Sequence, residues 1–335
     1  MNWAFLQELC ALPGVSGREE AVREALLRRL APACDCRVDP LGNLIAFKKG
    51  KKTPEKRRMF SAHMDEVGLI VTYLEEDGLV RFSPVGGIDR RVLVGKPVEV
   101  AGVPGVVGCK PIHLQSPKER DTAPQWEELF IDLGAASRQQ AEQLVHPGDR
   151  GVFVSPYTGL GEGRLQGRAL DDRVGCALLA ELLLSDLEYD TWGAFTVQEE
   201  TGTTGGRTAA AQILPERAVV LEATTACDLP DSPPQRQVCR LGEGPVVSFM
   251  DRGTVYSWGL YELAGQAAQA EGIRWQPKQG IYGGNEARSV QLAGGGVEVL
   301  AVSVPCRYLH TPSCVIQKAD VEETARLLRA LEARL

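Results

Sequence analysis

The segment Trp192-Gly193-Ala194-Phe195-Thr196-Val197-Gln198-Glu199-Glu200-Thr201-Gly202-Thr203-Thr204-Gly205-Gly206 decides how this chain is read. Its first six residues are mostly apolar, with β-branched and aromatic side chains, which predicts a short buried strand. The strand ends on two adjacent glutamates. A Gly-rich turn follows, and Arg207-Thr208-Ala209-Ala210-Ala211 has the look of a helix start. An open α/β sheet places its chemistry just beyond the carboxyl ends of its strands. Two carboxylates held together there are costly unless a cation neutralises them or one stays protonated. The pair suits one metal ligand and one general base. Taken alone, it equally suits a solvated charge pair at a loop entrance.

Outward from this segment, the flanking sequence keeps an α/β rhythm. Trp3, Leu6 and Cys10 recur at helical spacing, and Ser16-Gly17-Arg18-Glu19 fits a capping box, with Ser16 as N-cap and Glu19 reaching back to it. The helix so opened is expected to bury Val22, Leu26 and Leu30. Residues 43–47 and 58–62 read as strands joined by a basic turn, and the second runs into Ala62-His63-Met64-Asp65-Glu66-Val67-Gly68. Downstream, Asp171-Asp172 precede an apolar helix over 173–187. Residues 217–222 form a strand ending on Glu222, 257–272 a helix and 297–304 a buried strand. A final helix over 321–335 has Asp320 as cap and Glu323 three residues on.

Residues 67–163 differ in texture. Short alternating strands at 69–73, 79–82, 98–100 and 106–109 are separated by Gly and Pro turns, the pattern of a small β-barrel or sandwich. The polar stretch 116–127 reads as a mobile loop and 137–144 as the one helix. A chain of 335 residues holds about two domains. The simplest organisation is a catalytic α/β domain of residues 1–66 and 164–335, interrupted by an inserted β domain of 67–163.

Composition narrows the function. A net charge of −7 argues against a general nucleic-acid binder. Nine cysteines are scattered without a CxxC pair, which disfavours a thiolate zinc site or a disulfide framework. No apolar stretch approaches membrane-spanning length, and Met1-Asn2-Trp3-Ala4-Phe5 lacks the features of a secretory signal. A reducing cytoplasm is the expected location.

Five polar clusters fall at strand ends or helix starts: His63-Met64-Asp65, Asp171-Asp172, Glu199-Glu200, Glu222 and His310. Each has an ordinary explanation, such as a helix cap for Asp172 or a turn for Asp65. Together they gather carboxylates and imidazoles at one sheet edge, and two of only four histidines are among them. Two histidines and three carboxylates suit two zinc- or cobalt-type divalent ions with one carboxylate bridging. Asp65, two residues from His63, is placed to take the other imidazole N–H. Whichever of Glu199 and Glu200 is free of the metal would take a proton from water and pass it to a leaving amine. The implied reaction is metal-assisted amide hydrolysis.

The motifs 62–68, Ala169-Leu170-Asp171-Asp172-Arg173-Val174-Gly175, Gln198-Glu199-Glu200-Thr201-Gly202, Leu221-Glu222-Ala223-Thr224-Thr225-Ala226-Cys227-Asp228-Leu229-Pro230 and Arg307-Tyr308-Leu309-His310-Thr311 occur in a telling order. It resembles that of the dinuclear-metal aminopeptidases of the tetrahedral-assembly group, which includes glutamyl aminopeptidases and members labelled cellulase or endoglucanase. The resemblance covers nearly the whole chain. It implies an α/β, mixed-sheet metallo-exopeptidase domain with an inserted small β-barrel used for dimerisation, whose signature Gly108-Cys109-Lys110-Pro111-Ile112-His113 matches. It further implies two divalent ions per subunit, Zn2+ or Co2+. His63, Asp171 and Glu222 would hold one, and Asp171, Glu200 and His310 the other, with Asp171 bridging and Glu199 as general base. A cis Asp171–Asp172 peptide and dimers assembling into a twelve-subunit shell are also implied. Short peptides would be the substrates, with no nucleic acid or membrane involved.

Two positions depart from the family pattern: Glu222, where Asp is frequent, and Gly283-Gly284-Asn285-Glu286-Ala287, where Gly-Gly-Thr-Asp-Ala is frequent. The runner-up is a related di-metal deacylase or carboxypeptidase acting on N-acyl amino acids. An aminopeptidase needs an acidic group for the free amine and a carboxypeptidase an Arg for the carboxylate. Glu286, Arg288 and Arg307 offer both. A pocket for acidic side chains would draw on Arg252, Arg288 or Arg307. A cellulase is disfavoured, because that chemistry needs no histidine pair. An inactive scaffold would be expected to have lost ligands.

Overall fold

A computed structural model describes residues 1–335 as two sheets with their helices. The larger sheet has eleven strands. Its main path runs Asp35–Val38, Leu44–Lys48, Thr191–Thr196, Arg58–His63, Arg217–Thr225, Glu298–Arg307, Cys314–Gln317, Arg164–Gly167 and Thr158–Leu160. Val246–Val247 pairs with Glu298–Arg307 off this path and carries Gln276–Pro277 beside it. Thr191–Thr196, Arg58–His63, Arg217–Thr225 and Glu298–Arg307 are mutually parallel and form the centre.

Central parallel strands are covered on both faces, so they carry near-continuous apolar runs. Successive residues point to opposite faces. Val219 and Leu221 therefore enter one core, with helix Leu170–Leu183, while Ala218 and Val220 enter another, with helix Thr204–Ile213. Gly205 lets that second helix begin tightly against the strand end: a Cβ there would lie 2.2 Å from the Val197 carbonyl oxygen.

The smaller sheet is a closed barrel of Gly68–Leu74, Val80–Val85, Phe130–Asp132, Val103–Gly108, Pro97–Val100 and Arg150–Phe153, in that order around the wall. Leu69, Val71, Val80, Phe82, Val98, Val100, Val107 and Ile131 fill it. The α/β architecture with an inserted barrel is thus as expected. Two short strands, Phe130–Asp132 and Arg150–Phe153, had no clear alternation to announce them. Thr158–Leu160 pairs with Arg164–Gly167 in the larger sheet, so the chain returns to that sheet before residue 163. The 116–127 stretch is not all loop: Ser116 and Glu119 cap a short helix, Pro117–Arg120.

Two expected helix caps are corrected. The helix Glu20–Leu30 has Glu19 as its N-cap, without a side-chain capping bond. The Ser16 hydroxyl instead donates to Asp65 at 2.6 Å, and the Glu19 carboxylate accepts from the Gly17 N–H at 2.6 Å. Asp320 lies inside the helix Lys318–Glu332 and accepts from the Gly242 and Gly244 N–H groups at 2.7 and 2.8 Å. In both cases a buried tertiary partner outcompetes the local one.

A buried ionic knot fixes the chain where it enters and leaves the barrel. Arg173, fully buried, donates to the carbonyls of Met64 at 2.8 Å, Leu12 at 3.1 Å and Leu9. It also pairs with Glu66 at 3.3 Å, and Arg168 meets the same carboxylate at 3.1 Å. Removing one member of such a knot strands the others. Arg173→Leu should cost about 3 kcal/mol, read as a lower urea midpoint for unfolding; an unchanged midpoint would contradict this role.

Candidate active site

The carboxyl ends of the central strands converge on one cavity of about 180 Å³, lined by His63, Asp171, Glu199, Glu200, Glu222 and His310 among others. His63 closes its strand in register with Thr196, so Glu199 and Glu200 follow three and four residues beyond that level. Glu222 sits within Arg217–Thr225, and His310 follows Glu298–Arg307 by three residues. Asp171 and Asp172 open the helix Leu170–Leu183 with non-helical backbone, and the peptide between them is cis, as the family resemblance implies.

The distances are close-set. His63 Nε2 lies 3.5 Å from Asp171 Oδ1 and 3.7 Å from Glu222 Oε2. His310 Nε2 lies 3.4 Å from Asp171 Oδ2 and 3.2 Å from Glu200 Oε1. Each imidazole is turned by its other nitrogen. His63 Nδ1 is 3.0 Å from the Asp65 carbonyl oxygen, and His310 Nδ1 is 2.8 Å from the Gly87 carbonyl oxygen. A carbonyl can only accept, so each Nδ1 carries a proton, and each Nε2 is the nitrogen left facing the cavity. Asp65, fully buried, does more than the single job expected of it. Its carboxylate lies 3.4 Å from His63 Nδ1 and accepts from the Glu199 N–H at 2.9 Å and the Glu200 N–H at 3.1 Å.

Electrostatics mark the centre as starved of positive charge. Burial, reinforced by Glu200 and Asp65, pushes Glu199 up to about 8. Burial likewise raises Glu200, Glu222 and Asp172. It works to lower His310, yet the pairs with Asp171 and Glu200 hold that imidazole up to about 11. For His63 too, burial works to lower it, but the nearby carboxylates of Asp171 and Asp65 outweigh that and raise it well above the ordinary value. Buried carboxylates without enough cations protonate or bind metal.

The donor set fits a metal. Asp171 Oδ1, Asp172 Oδ2 and Glu222 Oε1 are buried without a hydrogen-bond partner. Ligand atoms of His63, Asp172 and Glu222 lie within 4.8 Å of one another, as do those of His63, Asp171 and Glu200. Imidazole nitrogen with carboxylate oxygen suits zinc or cobalt. Asp172, weighed from sequence as a helix cap, is therefore also near the centre, although its other oxygen does accept from the Gly175 N–H at 3.0 Å.

Other expected positions fall elsewhere. Arg252 and Arg288 are not among the residues lining the cavity. Arg307 is held by Asp228 at 2.7 Å. Glu286 is sealed behind the cavity, accepting from the Thr196 hydroxyl at 2.7 Å, while its neighbours Gly283, Gly284 and Asn285 line the wall. Sequence reasoning passed over two contributors. The Gly87 acceptor is a backbone carbonyl, which no side-chain pattern reports. Lys278 on the cavity wall lies in a stretch without hydrophobic period.

Inward-facing imidazoles and unpartnered buried carboxylates at a sheet edge define a metal-dependent hydrolase. The model of the M42 glutamyl aminopeptidase family matches residues 42–327, and the chain belongs to that family. It is a metal-dependent aminopeptidase, hydrolysing peptides from the N-terminus. A lysyl aminopeptidase of Pyrococcus furiosus is 32% identical, over 99% of this chain and 96% of its own. The TET1 peptidase of Pyrococcus horikoshii, described as assembling into a tetrahedron or a large octahedral shell, is 35% identical with a TM-score of 0.89, covering 99% of each chain. A Thermotoga maritima structure called an endoglucanase is 37% identical with a TM-score of 0.81, over 97% of this chain and 96% of its own.

Asp65→Ala would release His63 and the Glu199–Glu200 backbone together. It should lower metal affinity, measured by chelator competition, and peptide turnover by roughly 10- to 100-fold. Wild-type affinity and rate in that variant would show that Asp65 does not position the centre.

Proposed function

We propose that this chain removes N-terminal residues from short peptides with Glu199 as general base and two divalent ions, zinc or cobalt, held by His63, Asp171, Glu200, Glu222 and His310. The observation that carries this is the split of one carboxylate. Asp171 directs Oδ1 to His63 and Oδ2 to His310, at 3.5 and 3.4 Å, as a carboxylate shared between two ions requires. Glu222 completes the His63 side and Glu200 the His310 side. Ions bound there supply Lewis acidity, polarising the scissile carbonyl and making a water acidic. Glu199 lines the same cavity and pairs with neither imidazole. It accepts the water's proton and returns it to the leaving amine. Asp65 keeps the His63 ring and both glutamates in place throughout.

The two glutamates should fail differently. Glu199→Gln keeps shape but loses the proton acceptor. It should retain both ions and lose turnover by about 10²–10⁴-fold. Glu200→Gln weakens a ligand. It should lose one ion by elemental analysis and regain activity as zinc or cobalt is added. The opposite pattern would reverse the roles, and unaffected rates in both would sink the assignment.

Assembly through the barrel is part of the proposal. Ile112 is 70% and Leu114 60% exposed beside the barrel strand Val103–Gly108, a surface suited to a second copy. Dimers joined there would build a twelve-subunit shell that admits only short peptides. Sedimentation at micromolar concentration should give a dimer or dodecamer; a monomer would contradict it. Nine free cysteines accord with a reducing compartment such as the cytoplasm.

A further inference from the structure

The proposed base, Glu199, is aimed by its backbone alone. Its carboxylate accepts no hydrogen bond from the rest of the chain, whereas its N–H is held by Asp65 at 2.9 Å. The residue before it, Gln198, has a φ of +54°, a left-handed conformation that a residue with a Cβ adopts at a cost. Both peptide planes that meet at the Gln198 Cα are pinned from outside. The plane after it is held at the Glu199 N–H by Asp65 and at the Gln198 carbonyl by the Thr204 N–H at 3.3 Å. The plane before it is held at the Val197 carbonyl by the Gly205 N–H at 3.0 Å, and at the Gln198 N–H by the Glu19 carboxylate at 3.2 Å.

Glu19 is buried and reaches that N–H from a turn far away in sequence. The turn is itself anchored. The Glu66 N–H donates to the Gly14 carbonyl at 3.0 Å, and the Gly14 N–H to the Glu66 carboxylate at 3.1 Å. The Ser16 hydroxyl donates to Asp65 at 2.6 Å, and Arg150 of the barrel donates to the Ser16 carbonyl at 3.4 Å. Glu19 Oε1 takes both the Gly17 N–H, which closes the turn, and the Gln198 N–H, so turn and strand end are joined at one atom. Three successive N–H groups, of Gln198, Glu199 and Glu200, thus end on two buried carboxylates from two other segments.

We infer that Glu19 is a positioning residue for the proposed base: by holding the Gln198 peptide it fixes the direction in which the Glu199 side chain leaves the backbone. This rests on the reading of Glu199 as the proton acceptor. Glu19 does not line the cavity and acts only through this backbone. Efficiency falls steeply when a reacting group drifts, and a misplacement of about 1 Å costs on the order of 10²-fold. The Glu200 N–H is held by Asp65 without Glu19, so the proposed ligand set stands when Glu19 is changed.

The test compares the zinc- or cobalt-loaded oligomer with its Glu19→Ala, Glu19→Asp and Glu19→Gln variants. It measures kcat and KM on Leu-anilide, metal content by elemental analysis, and amide exchange over residues 195–204 by mass spectrometry. Glu19→Ala should keep both ions and an unchanged KM, lower kcat by roughly 10- to 100-fold, and speed exchange in that segment. Glu19→Gln should recover most of the rate, because one amide oxygen can accept both N–H groups. Glu19→Asp keeps the charge but is one methylene shorter, and should stay slow. In a Glu199→Gln background, Glu19→Ala should cost little more, since the residue it serves has already lost its function. Glu19→Ala with wild-type kcat, with lost metal, or with an undiminished effect in the Glu199→Gln background overturns the assignment. If Glu19→Ala gives no folded oligomer, the other two variants decide, and equal rates in Glu19→Asp and Glu19→Gln overturn it. A wild-type rate in Glu199→Gln itself would remove the reading of Glu199 as base, and the positioning role with it.

Discussion

Like charge confined in a small volume governs this molecule. Asp171, Asp172, Glu199, Glu200 and Glu222 are gathered at one edge of one sheet, most of them buried. Their mutual repulsion, in a medium that screens poorly, would drive them apart or force protons onto them. The fold opposes this with rigid carriers. Each carboxylate is mounted on or just beyond a central strand or a helix start, and those elements are fixed by two cores on opposite faces. Repulsion that cannot be relaxed by movement becomes affinity for cations.

Holding such a centre leaves marks in the backbone. Ala169, Gln198, Thr203, Tyr308 and His310 all have positive φ, and all neighbour the acidic pairs or the second imidazole. Residues with a Cβ adopt that conformation at a cost. The surrounding hydrogen bonds have to overcome it, and Asp65 supplies several from one carboxylate. The strain and its support are concentrated within a few residues of the same sheet edge.

Much of this was legible from the chain itself. Buried strands betray themselves by continuous apolar runs, so Trp192 to Val197 and its parallel neighbours were readable, and with them the edge where His63, Glu199, Glu200 and Glu222 must emerge. The barrel's Phe130–Asp132 strand was not, because three residues cannot display a period. Caps were misread for a different reason. Ser16 and Asp320 have local helical partners within reach in sequence, but the folded chain brings Asp65 and a glycine turn closer. Lys278 was invisible because its place on the cavity wall is known only once that wall is built. The five-motif family resemblance supplied roles that residue spacing left open, including which glutamate serves as base.

The joint between the two sheets has a consequence for how the molecule can be taken apart. The carbonyl that orients His310 belongs to Gly87, which lies on the barrel side of the chain, and Gly86 beside it packs close to Glu200. The barrel is therefore no detachable handle. Excising it would leave His310 without the acceptor that turns its ring, with all the proposed metal ligands still present in the remainder of the chain. The ring proposed to hold an ion is thus oriented by a loop that follows a barrel strand, so its setting depends on the barrel being in place.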